Sequence, residues 1–180
     1  MNYQLFQAIN DLAGRLDPLD DAMEFAATWL IFGIFAAAAV TMVLAVRRGD
    51  RARVGDTAVA LAVAFVSARA LSHLNGQQRP FQTHHVHQLI AHGNGVSLPS
   101  DHATAAFTVA LAVAVFLHRG WGIALLVAAA AVGLARIWVG VHYPGDILAG
   151  LAIAVLAVTA VLTANRIRTG AAPLTVKETA

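Results

Sequence analysis

From Phe25 to Val46 the chain runs for 22 residues without a charged side chain. About 20 consecutive apolar residues suffice for a helix to cross the hydrocarbon core of a bilayer, so this run alone points to a membrane. Ile147 to Asn165 supplies 19 more uncharged residues. Three weaker candidates lie between them. Thr57 to Leu74 is apolar except for Arg69 and His73 near its end, and Ala103 to Leu117 and Trp121 to Ala135 are each 15 uncharged residues. Each becomes a span once polar residues at one end are admitted. Only 12% of the chain is charged and 58% is hydrophobic, whereas about a quarter of a soluble domain is charged. A soluble bundle would also need a polar stripe on each surface helix, and none is visible. The expected fold is an all-α, polytopic membrane helix bundle with about five transmembrane helices. It forms one domain over residues 1–169, with a flexible tail over 170–180.

Arginine placement sets the expected orientation, because cytoplasmic loops collect positive charge. Arg47, Arg48, Arg51, Arg53, Arg119, Arg166, Arg168 and Lys177 fall on one side of a five-span bundle. The other side receives Arg15 and Arg79, with Arg69 and Arg136 near span ends. The first group is assigned to the cytoplasm, which places the N-terminus outside and the C-terminus inside. The N-terminal segment lacks a basic start followed by an apolar core, so it is not a signal peptide. Instead Leu5, Phe6, Ile9, Leu12, Ala13 and Leu16 recur at helical spacing until Asp17-Pro18. They predict a short amphipathic helix lying on the outer membrane surface, with packing against the bundle as the alternative.

Net charge is +2, too small a field for nucleic acid. Cysteine is absent, which excludes disulfides, cysteine–zinc sites and thiol nucleophiles. The polar residues gather in two segments on the external side, Asn75 to His102 and Gly140 to Asp146. Together these hold six of the eight histidines. Ionisable groups at the rim of a membrane bundle are costly and invite a functional reading.

Leu98-Pro99-Ser100-Asp101-His102 precedes an apolar run and reads as a helix start with Ser100 as N-cap. Free backbone N–H groups at such a start attract anions, and His102 lies in that first turn. Pro144 suits the first turn of the last span, so a second helix N-terminus faces the same compartment. Asp146 follows His142 by four residues, close enough to hold one imidazole nitrogen and leave the other free. Arg79, after a Gly-Gln-Gln loop, reads either as a surface arginine or, at this rim, as a bidentate clamp for a phosphate.

Arg79-Pro80, Pro99-Ser100-Asp101-His102 and Arg136…His142…Asp146 together resemble the three signature motifs of the type 2 phosphatidic acid phosphatase superfamily of membrane lipid phosphatases. The Pro-Ser-Asp-His-Ala-Thr and Gly-Val-His-Tyr-Pro stretches look like its undecaprenyl-diphosphate phosphatase branch, the bacitracin-resistance type. Three positions depart from the broad pattern. Ser72 stands where the first motif begins with lysine, Asp101 where the second has glycine, and Ala135 where the third has serine. Arg69, on a neighbouring part of the same helix face, is the candidate substitute for the missing lysine.

The resemblance implies the roles. His142 is the nucleophile, forming a phosphohistidine; Asp146 orients it; His102 protonates the leaving oxygen and then activates water. Arg79, Arg136, Ser100 and the helix amides hold the phosphoryl oxygens. Asp101 either bonds backbone, orients a histidine or helps select substrate. No compact carboxylate cluster for magnesium lies near the motifs, and no cofactor is implied. The implied substrate is undecaprenyl diphosphate, converted to undecaprenyl phosphate and phosphate. Another lipid phosphate, phosphatidate or phosphatidylglycerophosphate, is the alternative. The bundle's other partners are membrane lipids; oligomeric state is left open. A reading of another class makes His84, His85, His87 and His92 the metal site of a small membrane carrier. Against it, the cluster lacks a carboxylate or cysteine partner, and His84, His85 and His92 are read instead as lining the loop rim.

Overall fold

The computed structural model describes residues 1–170. Residues 171–180 of the predicted tail, Lys177 among them, lie outside them, while Gly170, its first residue, closes the last helix instead. Eight α-helices occur in chain order: α1 (Asn2–Asn10), α2 (Asp17–Thr28), α3 (Leu30–Arg47), α4 (Arg51–Leu74), α5 (Pro80–Thr83), α6 (Asp101–Ala112), α7 (Arg119–Trp138) and α8 (Pro144–Gly170). A π-helical turn, Val113–Leu117, prolongs α6. α3, α4, α7 and α8 are each long and apolar enough to cross a membrane. α6 with its π turn supplies the fifth, shorter span, so the chain is an integral membrane protein with the expected helical architecture.

α6 is the axis of the bundle. Ala103, Ala106, Ala110 and Ala112 are fully buried along it, with Phe107, Val109 and Val113. Small side chains let neighbouring backbones come close, the main source of packing energy between helices in lipid. One close approach is to α8. A Cβ on Gly150 would stand 2.9 Å from the backbone nitrogen of Thr104, so only glycine fits there. The hydroxyls this helix buries are satisfied locally: Thr104 Oγ1 donates to the Ser100 carbonyl at 2.9 Å and Thr108 Oγ1 to the Thr104 carbonyl at 2.6 Å. The peripheral helix α3 shows the reverse pattern, with Phe32, Phe35, Val40 and Val43 exposed to the surroundings, as a lipid-facing surface requires.

Two expectations are corrected at the N-terminus. The run from Phe25 to Val46 is not one helix: it breaks at Trp29, and Phe25 to Thr28 belong to α2. The cause is tertiary. Pro18 does not merely end a pattern but opens α2, which lies along α7 and is fastened there by Trp138 Nε1 donating to Asp20 Oδ1 at 2.7 Å. α3 then leaves in its own direction. The amphipathic helix α1 is also shorter than its sequence pattern, and it packs on protein. Phe6 and Asn10 are buried; Asn10 Nδ2 donates to the carbonyls of Trp138 and His87 at 2.7 and 2.9 Å. Leu5 stays exposed on its other face, and so does Leu12 in the turn that follows.

The two ends of the bundle differ in kind. α4 ends, α6 begins, α7 ends and α8 begins at one end, together with α1 and the connection 75–100. The opposite end carries the α3–α4 turn, the π turn and the last turns of α8. There Arg53, Asp56, His118, Arg119 and Asn165 surround one cavity, and His118 Nδ1 caps α7 by accepting from the Trp121 backbone at 3.2 Å.

Candidate active site

The long connection between α4 and α6 is tied to the bundle at several points. An antiparallel bridge pairs Gln78 with Val96, and Ser97 N donates to the Gln77 carbonyl at 2.8 Å. Asn10 Oδ1 accepts from His87 N at 2.9 Å. Opposite, Gly140 adopts φ +83°, and a Cβ there would meet the His87 carbonyl oxygen at 2.6 Å. Glycine is required on both counts. These contacts bring the two polar segments of the sequence together at the helix ends.

Asp146, in the first turn of α8, is fully buried. Its Oδ2 accepts from Ser97 Oγ at 2.5 Å, the Tyr143 backbone at 2.8 Å and His142 Nδ1 at 3.2 Å; its Oδ1 accepts from Gln77 Nε2 at 3.3 Å. The Asp146 carbonyl also accepts from Ser100 N at 3.2 Å, which locks the start of α6 to the start of α8. Four donors hold the carboxylate in place, so it fixes the imidazole next to it.

His142 is 2% exposed. Its Nε2 lies 2.9 Å from Arg79 Nη1. A guanidinium only donates, so Nε2 accepts and the ring proton sits on Nδ1, facing Asp146. Burial pushes the His142 pKa down to about 4; the bond to Asp146 opposes this, and the charges of Arg136 and Arg79 reinforce it. At neutral pH the ring is therefore uncharged, with its lone pair aimed at a cation.

Arg79 precedes Pro80 at the start of α5 and is half-buried. It also donates to the Val141 carbonyl at 3.2 Å, while its Nε has no partner. Desolvation lowers its pKa, and Asp101 and Asp146 raise it. Arg136, in the last turn of α7, is 3% exposed. Nη1 reaches the Ala27 carbonyl at a long 3.4 Å, and its Nε and Nη2 have no partner. A buried donor left unmade costs about 1–3 kcal/mol, more when charged. Two guanidinium groups with idle buried donors beside a neutral imidazole form a receptor for an anion.

Ser100 caps α6, accepting from Ala103 N at 3.4 Å, which aims the first free amides of α6 at the same space. His102 is half-buried in that turn, close enough for the charges of Arg136, Arg79 and His92 to act on it. All seven predicted site residues thus lie at one end of the bundle, six of them around the anion receptor. Asp101 sits at the edge of the receptor, close enough for its charge to act on Arg79 and His92. It is exposed and lines, with Arg69, the polar mouth of an apolar cavity of about 750 Å³ between α3, α4 and α6. Ser72 is half-buried one turn along α4. Arg69 therefore stands on the groove wall.

Sequence reasoning missed three residues. Ser97 and Gln77 support Asp146, and neither belongs to a motif. His92, assigned to the loop rim, reaches inward: its ring centroid is 6.3 Å from that of His142. The other loop histidines disperse. His84 stacks on Tyr3 at 3.9 Å, His85 is exposed, and His87 is held through its backbone by Asn10. Among the described residues no group of three or more His, Asp or Glu is arranged to hold a metal ion.

Comparison with known proteins shows the family. The profile of the PAP2 superfamily matches residues 53–169. The chain is 33% identical over 156 residues to the undecaprenyl-diphosphatase BcrC of Bacillus subtilis (strain 168), covering 87% of this chain and 80% of that protein. It is 34% identical over 157 residues to a Bacillus licheniformis protein named bacitracin transport permease protein BcrC, covering 87% and 76%. Among solved structures, Aquifex aeolicus LpxE superposes with a TM-score of 0.72 at 24% identity, over 90% of this chain and 94% of that one, a likeness of fold.

Proposed function

This chain belongs to the PAP2 superfamily and is an integral-membrane phosphatase, and we propose that it hydrolyses undecaprenyl diphosphate to undecaprenyl phosphate and phosphate through a phosphohistidine. The observation that carries the reading is the neutral His142, oriented by Asp146, facing Arg79 and the unpartnered donors of buried Arg136. The likeness to an undecaprenyl-diphosphatase supports the choice of lipid. So does the apolar groove, whose polar mouth at Arg69 and Asp101 opens beside the phosphoryl receptor: a prenyl chain lies in the groove while its diphosphate reaches His142.

Entry of the terminal phosphate moves the Arg79 guanidinium from His142 Nε2 onto phosphoryl oxygens. Nε2 attacks phosphorus, the bond to the inner phosphate breaks, and His102 supplies a proton to the leaving oxygen. Asp146 stabilises the imidazolium that forms. Arg79, Arg136 and the α6 amides balance charge on the transferred oxygens, the largest catalytic contribution in sites of this kind. Water then attacks the phosphohistidine, with His102 taking its proton.

Phosphate release from undecaprenyl diphosphate and from phosphatidate, measured side by side in detergent, tests the substrate. The diphosphate is the better substrate by kcat/KM; preference for phosphatidate overturns the assignment. We also propose that the site faces outside the cell. The chain has no native cysteine, so Asn94→Cys and Arg51→Cys report sidedness cleanly. An impermeant thiol reagent labels the first in intact cells and not the second; the opposite pattern reverses the orientation.

A further inference from the structure

His92 lies outside every motif of the sequence, yet it is the one side chain of the 84–99 connection whose ring is edge-on to the ring of His142, at 6.3 Å between centroids and 79° between planes. It is half-buried, and its second ring contact is Phe81 at 6.4 Å. Its Nδ1 lies 3.0 Å from the carbonyl of Gly93. A carbonyl only accepts, so Nδ1 carries the proton and Nε2 presents a lone pair. The charged groups that face it are Arg79 on α5, Arg136 on α7 and Asp101 on α6, with His102 near enough to be influenced by it. Burial lowers the pKa of His92; the bond to Gly93 raises it, the two arginines lower it and Asp101 raises it. The ring is an acceptor at neutral pH.

An acceptor is a poor neighbour for a phosphate dianion, which offers it no proton. It is a good neighbour for water. His92 stands edge-on to His142, and in the second half of the proposed reaction one water must enter beside the phosphoryl group carried on His142. His102 and His92 approach that space from different elements, the first turn of α6 and the loop. Two acceptors on two walls fix both hydrogens of a water and aim its oxygen lone pair at phosphorus.

We propose that His92 is a further catalytic residue, which holds the water that cleaves the phosphohistidine. In this step the water oxygen forms a bond to phosphorus as the Nε2–phosphorus bond of His142 breaks. One water proton passes to His102, restoring the proton it gave to the leaving group. The other stays on the new phosphate, hydrogen-bonded to His92 Nε2 until phosphate leaves. The role rests on the phosphohistidine route proposed above, and it makes His92 specific to the second half of the reaction.

That specificity gives the test. The full chain in detergent is assayed with p-nitrophenyl phosphate, in the steady state and by rapid acid-free quench. kcat/KM reports the steps up to phosphorylation, whereas kcat includes hydrolysis of the intermediate. In His92→Ala, kcat falls about 10- to 100-fold, up to the lower part of the range for acid–base groups. KM falls with it, kcat/KM stays within about threefold, and phosphohistidine accumulates above its wild-type level. His92→Gln, whose side-chain carbonyl is also an acceptor, recovers part of kcat and controls for folding. A parallel fall of kcat and kcat/KM without accumulation, or no change in either, overturns the role and shows His92 to be a lid or a bystander. If the wild type itself yields no phosphohistidine at any quench time, the proposed route fails and this role fails with it.

Discussion

Arginine occupies both ends of this bundle and does opposite work there. At the site end Arg136 is 3% exposed, with Nε and Nη2 unpartnered. At the far end the Arg53 and Arg168 side chains are 58% and 73% exposed and lie 3.7 and 4.0 Å from Asp50 and Asp56. The far-end charges are already solvated, and in the orientation proposed above they are the ones that set which way the helices thread the membrane. The site-end charges are more buried and short of protein partners, donors left for a ligand to complete. Preorganised donors in a dry site stabilise transition-state charge without reorganising. The free protein bears the cost, because idle buried donors destabilise the fold that holds them.

The comparison breaks most sharply at His142, where the dry end meets the reaction. His142→Ala removes the only ring that both Asp146 and Arg79 grip, and it is expected to abolish turnover and leave no acid-labile phosphoenzyme in a rapid-quench assay. Residual turnover above a hundredth of wild type would assign the nucleophile elsewhere.

Arg136→Met sharpens the contrast between function and stability. Activity falls by about 10²–10³ in kcat/KM, the usual loss when a preorganised donor to the transition state is removed. The melting temperature in detergent does not fall, because the substitution relieves an uncompensated buried charge and methionine fills the volume. A large loss of stability would mean that Arg136 is a structural residue whose Ala27 contact matters more than its idle nitrogens.

Ser97→Ala probes the support of the nucleophile. It deletes the 2.5 Å bond to Asp146 and leaves the carboxylate to its other three donors. kcat falls roughly tenfold, consistent with about 1.4 kcal/mol for one charge-assisted bond, while KM changes little. An equal loss in Gln77→Ala is not expected, since that bond is longer at 3.3 Å.

The dry end also titrates. His142 has an ordinary unfolded pKa near 6.5 and a folded value pushed down to about 4 by burial. Between these values the unfolded chain binds the extra proton and the folded chain does not. Stability is therefore fully present above about pH 6.5 and falls progressively toward pH 4, by roughly 3 kcal/mol at most. Thermal melts of wild type and His142→Asn across this window are the measurement: the variant shows the shallower slope.

Local spacing made much of the site legible. The His142–Asp146 pair is four residues apart, and Ser100 caps a helix that a proline introduces, so both follow from short-range geometry. Ser97, Gln77 and His92 arrive on a connection without periodicity, and their contacts depend on how that connection is clamped by Asn10 and by the Gln78–Val96 bridge. The spans were legible from apolar length. The break at Trp29 was not, because the uncharged run continues through Phe25 to Trp29 into Leu30 and Ile31 with no charge, Gly or Pro to mark it, Thr28 being the one polar side chain there. It is imposed by the distant Asp20–Trp138 bond.

The smallest effect belongs to the far end, and it tests the other half of the comparison. Arg53→Ala removes an exposed pair at 3.7 Å, worth about 0–1 kcal/mol. Salt screens such a charge, and water solvates whatever partner remains. The expected change is within about 0.5 kcal/mol of stability, with kcat/KM unaltered. What changes is topology, and only collectively. One of several basic residues near the α3–α4 turn is dispensable, but neutralising Arg47, Arg48, Arg51 and Arg53 together removes the charge bias there. The orientation reported by labelling at Asn94→Cys then becomes mixed. If Arg53→Ala alone lowers activity as Arg136→Met does, the two ends are coupled through the helices, and the division between wet charges that orient and dry charges that react is wrong.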